Sequence, residues 1–351
     1  MARLPTIPTC VALEFAEPAR DALWFVRALR AALETALAGQ TPVPRVCVLH
    51  DSRCCPGAVA AAKIRADLLL HFGPTCACCP RTALPCPLTV LPSPFVRHDP
   101  AALLASLRDA VTAATSTPVV VALDAELADR ATPLCSAFTE SSKSPIFCFQ
   151  TFPDEDKNKD EDEGVLHFAG WRFPRNTGTL IYVGSSRAAA CAMQASVPAD
   201  EFRAVFLPHD DSSEGSDESI EEAERFLMRG RMGLAMRRSH ALEAVRDAES
   251  VALLVAGPLH AAPARTLREH VAAKGVPVRT IALDGVDEYR LANFPDTCAA
   301  VAVVVACPYT LSFLQTRRFD RPVVSAAECA AALADDPDWV THYTTDITAA
   351  L

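Results

Sequence analysis

Short apolar runs and helical stretches alternate along this chain in one order that starts again twice, and few folds accommodate that pattern. VALEF (11–15) precedes ARDALWFVRALRAALETALAG, whose apolar positions recur at helical spacing and which Gly39 can stop. PRVCVLH (44–50), the helical GAVAAAKIRA (57–66), the strand DLLLHFG (67–73) and PLTVLP (87–92) follow. ALLASLRDAVTAAT (102–115) and PVVVALD (118–124) open a second round, continued by SPIFCFQTF and TLIYVGS (179–185). VALLVAG (251–257), a helix from Ala262 to Gly275, VRTIALD (278–284) and AAVAVVVACP (299–308) make a third. Strands separated by helices read as β/α layering with mostly parallel sheets. The order therefore predicts three α/β units of about a hundred residues each. Their spans are 1–112, 113–247 and 248–351. The units do not repeat in sequence, so any symmetry among them lies in layout.

Composition narrows the function classes. The 43 Asp and Glu against 33 Lys and Arg leave a net charge of −10, with no basic face to neutralise a phosphate backbone, so nucleic-acid binding is not expected. No run approaches the ~18 apolar residues of a membrane span. The opening MARLPTIPTCVALEFAEPAR lacks a basic stretch followed by an unbroken apolar one, and a cytoplasmic location is expected. In that reducing setting, crowded cysteines among the 14 point to metal binding or catalysis before disulfides. Isolated ones such as Cys10, Cys47 and Cys298 read as small buried packing residues. Two acidic segments, 154–164 and 209–224, read as solvated or disordered insertions in the middle unit. The stretch 225–250, with arginines at 225, 229, 231, 237 and 238, reads as a helix bridging the middle and third units.

In open α/β sheets ligands gather beyond the carboxyl ends of the strands. Cys54 and Cys55 follow CVLH, Cys76 follows LLLHFG, and Cys307 ends AVAVVVA, so loops from two distant units can converge. Three thiolates leave one iron of a four-iron cluster without a protein ligand, open to a small molecule. Two other readings fit the same residues. One is a zinc site using Cys76-x-x-Cys79 with Cys54 or Cys55, although an adjacent pair suits zinc-knuckle geometry poorly. The other is inert buried thiols. Gly184-Ser185-Ser186 is too short to signal a phosphate loop. His71 and Asp67 read as polar groups of a buried strand satisfied by nearby backbone.

Larger blocks carry a resemblance. CCPGAVAAAKIRADLLLHFGPTC resembles the signature of the diphthamide-synthesis radical enzymes, a Cys-Cys pair followed by a helix and then an HFG-x-x-Cys strand end. GWRF (170–173), RFLMR (225–229) with AVRDAES, LANFPD (291–296), VVVACPYT (303–310) and FDRPVVSAAECAAAL (319–333) follow in the family's order. The resemblance implies three similar α/β domains around a central iron-sulfur site. It implies a [4Fe-4S] cluster and the use of S-adenosylmethionine to place a 3-amino-3-carboxypropyl group on a histidine of translation elongation factor 2. It also implies a heterodimer of two paralogues and a small reductant protein as electron donor. HFAGWRFP, with no cysteine before the following strand, resembles the second, non-catalytic paralogue, which handles electrons for a catalytic first subunit. Carried over residue by residue, Cys76 and Cys307 are metal ligands. The spacing of 21 residues to Cys76 selects Cys55 as the third, with Cys54 as its alternative. Asp51-Ser52-Arg53, Pro56-Gly57 and the ACCP after Thr75 depart from the family's usual loops.

Overall fold

The computed structural model describes residues 8–15, 23–38, 44–49, 58–77, 84–93, 99–138, 144–151, 164–207, 238–283, 299–309 and 321–334, with isolated positions 227, 286, 291, 293, 339, 343 and 344. Cys54, Cys55, Cys78, Cys79, Cys298, most of 154–164 and all of 209–224 lie outside these residues.

Three four-stranded sheets form the frame. The first contains β1 (Cys10–Phe15), β2 (Arg45–Leu49), β3 (Leu68–Phe72) and β4 (Leu88–Leu91). The second contains β5 (Val119–Leu123), β6 (Ile146–Phe149), β9 (Thr177–Gly184) and β10 (Ala199–Phe206). Between β6 and β9 the chain adds an antiparallel hairpin of β7 (Val165–Phe168) and β8 (Trp171–Pro174). The third sheet contains β11 (Val251–Ala256), β12 (Val278–Leu283), β13 (Val301–Val305) and β14 (Val323–Ser325).

Every neighbouring pair within these three sheets is parallel. Counted in chain order within each sheet, all three run 2-1-3-4. The layout therefore repeats although the sequence does not. In this order the winding reverses between the first and third strands, and a crevice opens there at the carboxyl ends.

Parallel strands are buried on both faces and select β-branched side chains, as VVVAL in β5 and VAVVV in β13 show. Alternate residues serve opposite faces. Val120 and Ala122 enter one cluster of the middle sheet, and Val119, Val121 and Leu123 enter another. The third sheet divides likewise, with Leu253 on one side and Leu254 on the other.

Helices cover the sheets. They are α1 (Leu23–Leu37), α2 (Ala58–Lys63), α3 (Pro100–Ala113), α4 (Ala131–Ser136), α5 (Arg187–Ser196), α6 (Ala261–Ala273) and α7 (Ala326–Ala334). Asp99 caps α3 by accepting from Ala101 N–H at 2.9 Å, with Pro100 at the first helical position. Ser186 caps α5 by accepting from Ala189 N–H at 3.1 Å. The alanine-rich α5 is buried along its whole length except Arg187. Of the expected bridging helix, residues 238–246 are helical and pack on the third sheet through Leu242 and Val245. No helix among the described residues is long and apolar enough to cross a membrane.

Candidate metal centre

Cys76 and Cys307 follow the same strand, the third, of the first and third sheets. After β3 the chain turns at Gly73, whose φ of +104° falls in the left-handed region that glycine tolerates. It then buries Thr75 and Cys76, the latter 1% exposed. After β13, Ala306 leads to Cys307, which is 5% exposed. Both cysteines enter the hydrophobic cluster on one face of the middle sheet, alongside Phe168, Trp171 and Tyr309. Two loops some two hundred residues apart in sequence thus meet against the unit between them. Tyr309 N–H donates to Cys307 Sγ at 3.4 Å.

The hairpin β7–β8 closes the cluster. Phe168 stacks on Trp171 with ring centroids 6.4 Å apart and lies 6.4 Å from the Tyr309 ring. Trp171 Nε1–H donates to Leu123 O at 3.1 Å, which fixes the hairpin to the end of β5. The hairpin tip holds Ala169 at φ +46° and Gly170 at φ +91°. A Cβ on Gly170 would collide with Ala77 Cβ, so the tip sits directly on the residue after Cys76.

Beside the thiols lies a buried polar group at the carboxyl edge of the middle sheet. Tyr182 O–H donates to Asp124 Oδ2 at 2.5 Å, and Ser185 donates through N–H and Oγ–H to Glu126 Oε1. Burial, reinforced by the neighbouring Glu126 charge, pushes the Asp124 carboxyl well above the usual carboxylate range. Burial, followed by the Asp124, Cys76 and Cys307 charges, pushes the Tyr309 phenol up. Ser185 follows the third strand of the middle sheet, the place taken by cysteine-bearing loops in the other two.

Two thiols enclosed by apolar side chains suit a soft metal such as iron or zinc, and not calcium or magnesium, which take oxygen ligands. Cys76 and Cys307 thus fit a thiolate-held centre. Cys55 lies outside the described residues, in the segment after β2, whose carboxyl end faces the same sheet edge as that of β3. Among the described residues no group of three His, Cys, Asp or Glu side chains is placed to hold a metal ion. Cys10, Cys148, Cys191 and Cys329 are buried in packing, and no disulfide joins the described cysteines. Burial pushes Cys148 up to about 11, and Cys191 and Cys329 up to about 12.

His71 is buried with Nε2 on Pro74 O at 3.1 Å, as a backbone-satisfied strand residue should be, but its Nδ1 meets Glu14 Oε2 at 2.9 Å. Asp67 accepts from Thr9 N–H, Thr9 Oγ1–H and Cys10 N–H, and these bonds hold its carboxyl below the usual range. Sequence reasoning missed Glu14, Gln150 and the hairpin. The available signal for Glu14 was a carboxylate inside the apolar run VALEF.

Compared with known proteins, residues 30–344 match the model of the diphthamide synthesis protein family. The chain is 27% identical over 311 residues to 2-(3-amino-3-carboxypropyl)histidine synthase subunit 2 of Rattus norvegicus, covering 83% of this chain and 61% of that protein. To the subunit of the same name from Homo sapiens it is 26% identical over 330 residues, covering 87% and 64%. The chain spans about three fifths of the length of these relatives. The fold is similar to the crystal structure of Dph2 from Pyrococcus horikoshii, with a TM-score of 0.59, 16% identity, and 97% and 89% of the two chains covered. The crystal structure of that protein with a 4Fe-4S cluster gives a TM-score of 0.55 at 15% identity and the same coverage.

Proposed function

The chain belongs to the diphthamide synthesis protein family, and from that premise we propose that it is the electron-handling iron-sulfur subunit of a 3-amino-3-carboxypropyl transferase. The enzyme moves this group from S-adenosylmethionine to a histidine of translation elongation factor 2, the first step of diphthamide formation. One observation carries the reading: Cys76 and Cys307, from the first and third units, share one apolar cluster against the middle unit. A relative of this fold with a 4Fe-4S cluster supports it.

Cys55, Cys76 and Cys307 would hold the cluster. When bound, a [4Fe-4S] cluster supplies one-electron transfer. Phe168, Trp171 and Tyr309 keep water from the sulfurs, and low solvent access helps to set a cluster's potential. The Tyr309 N–H on Cys307 Sγ stabilises negative charge on that sulfur. Ser185 stands in the middle unit where the other two place cysteine-bearing loops, which supports a non-catalytic role. The partners are a paralogous catalytic first subunit, the elongation factor and a small reductant protein, in the cytoplasm. The units span 1–112, 113–247 and 248–351.

Anaerobic co-purification with the first paralogue tests the role. S-adenosylmethionine cleavage driven by the reductant protein should require Cys76 and Cys307, whereas dithionite should drive the partner without them. Equal cleavage by complexes carrying Cys76→Ala and Cys307→Ala, driven by the reductant protein, would reduce this chain to a scaffold.

A further inference from the structure

We propose that Gln150 is a positioning residue through which the middle unit holds the Cys76 and Cys307 loops in place. Gln150 follows β6, the second strand of its sheet, and so occupies the place from which the first sheet leads into the segment bearing Cys55. It is 6% exposed. Ala125 N–H donates to its Oε1 at 3.3 Å, which orients the amide. Its Nε2 then donates both hydrogens, to Ala169 O at 2.9 Å and to Tyr309 Oη at 3.1 Å.

Each of those two bonds ends beside one cysteine. Ala169 belongs to the hairpin tip, and its neighbour Gly170 rests on Ala77, next to Cys76. Tyr309 donates its backbone N–H to Cys307 Sγ. One side chain thus links the two loops through a continuous set of contacts, and a leucine of similar size could make neither bond. The inference takes from the proposed function only that Cys76 and Cys307 act together.

Its test is therefore made first on iron-free protein, by the rate at which a small alkylating reagent labels each thiol. Peptide mass spectrometry reads the sites, with fragment ions separating Cys76 from Cys78 and Cys79. In Gln150→Ala, labelling of Cys76 and Cys307 should rise together by about tenfold, the order expected when buried groups lose a hydrogen-bond partner. Cys191 and Cys329, buried elsewhere, should label at the wild-type rate. Tyr309→Phe keeps the ring and the backbone N–H but removes the Gln150 bond, and should raise Cys307 alone. If Gln150→Ala does not fold, Tyr309→Phe decides by the same criterion.

No change at either cysteine, a change at only one of them in Gln150→Ala, or a parallel rise at Cys191 and Cys329 overturns the proposal. In protein that binds iron, Tyr309→Phe should also shift the electron paramagnetic resonance spectrum of the reduced centre at unchanged iron content. An unchanged spectrum overturns the proposal as well. Wild-type protein that binds no iron would sink the proposed function and leave the labelling result to decide this inference.

Discussion

Glu201 gathers three donors around one carboxylate at the edge of the middle unit. Thr115 N–H and Thr115 Oγ1–H reach its Oε2 and Arg203 reaches its Oε1, while the Thr179 hydroxyl, shared with Ser116 O at 2.7 Å, lies 3.1 Å from Oε2. The Thr115 backbone bond, with the Arg203 and threonine side chains, draws the carboxyl down from its ordinary 4.5 to about 2. A carboxylate depressed in the folded state contributes stability that is present above its ordinary value and is lost as pH falls through the folded one. Glu201→Gln should therefore be less stable than wild type at neutral pH. The difference should shrink below about 4.5 and vanish near 2 in urea titrations at stepped pH. A difference independent of pH would show that the charge is not what matters. That His71 is buried and bonded to backbone was readable from DLLLHFG, but its Glu14 partner was not, because the pair depends on the register that sets Glu14 opposite His71. Register is a property of two strands, and neither sequence segment contains it alone.

The strands and helices were readable because local pattern and tertiary need agree. β-branched runs are what doubly covered parallel strands require, and helical spacing put the apolar faces where the sheets are. The hairpin β7–β8 was not readable as an element. GWRF stood out as a block, but its residues are held by partners far away in sequence: Trp171 by Leu123, Phe168 by Tyr309, and the tip by Ala77 and Gln150. Gly170→Ala should lower stability by about 1–3 kcal/mol, since the new methyl enters filled space. The positive φ adds strain of its own. Urea unfolding measures the change, and a loss of only a few tenths would mean that the hairpin tip moves freely off the Cys76 loop.

At the scale of the whole molecule, one strand order used three times explains why chemistry-bearing loops fall at equivalent places. The third unit is tied to the helical residues 238–246 by Arg238, whose guanidinium donates to both Glu328 oxygens at 2.7 and 2.9 Å and to Val323 O at 2.7 Å. Tyr343 O–H adds a bond to Glu328 Oε1 at 2.9 Å. Glu328 is buried and Arg238 is 20% exposed, so Glu328→Ala leaves a guanidinium that water screens in part and should cost about 1–3 kcal/mol in the same unfolding assay. A loss of only a few tenths of a kcal/mol would mean that this ion pair does not hold residues 238–246 to the third unit.

The candidate centre was only half legible at this scale. Strand-end position flagged Cys54, Cys55, Cys76 and Cys307 together, and the resemblance chose among them. That Cys76 and Cys307 share one cluster depends on how the three units pack, which no local pattern encodes. Iron and acid-labile sulfide per chain, counted on anaerobically purified wild type and on Cys76→Ala, Cys307→Ala and Cys191→Ala, test the centre most directly. Wild type and Cys191→Ala should hold about four of each, as a [4Fe-4S] cluster requires, and the other two should lose them. Stoichiometric zinc in place of iron, or full iron in Cys76→Ala and Cys307→Ala, would contradict the assignment.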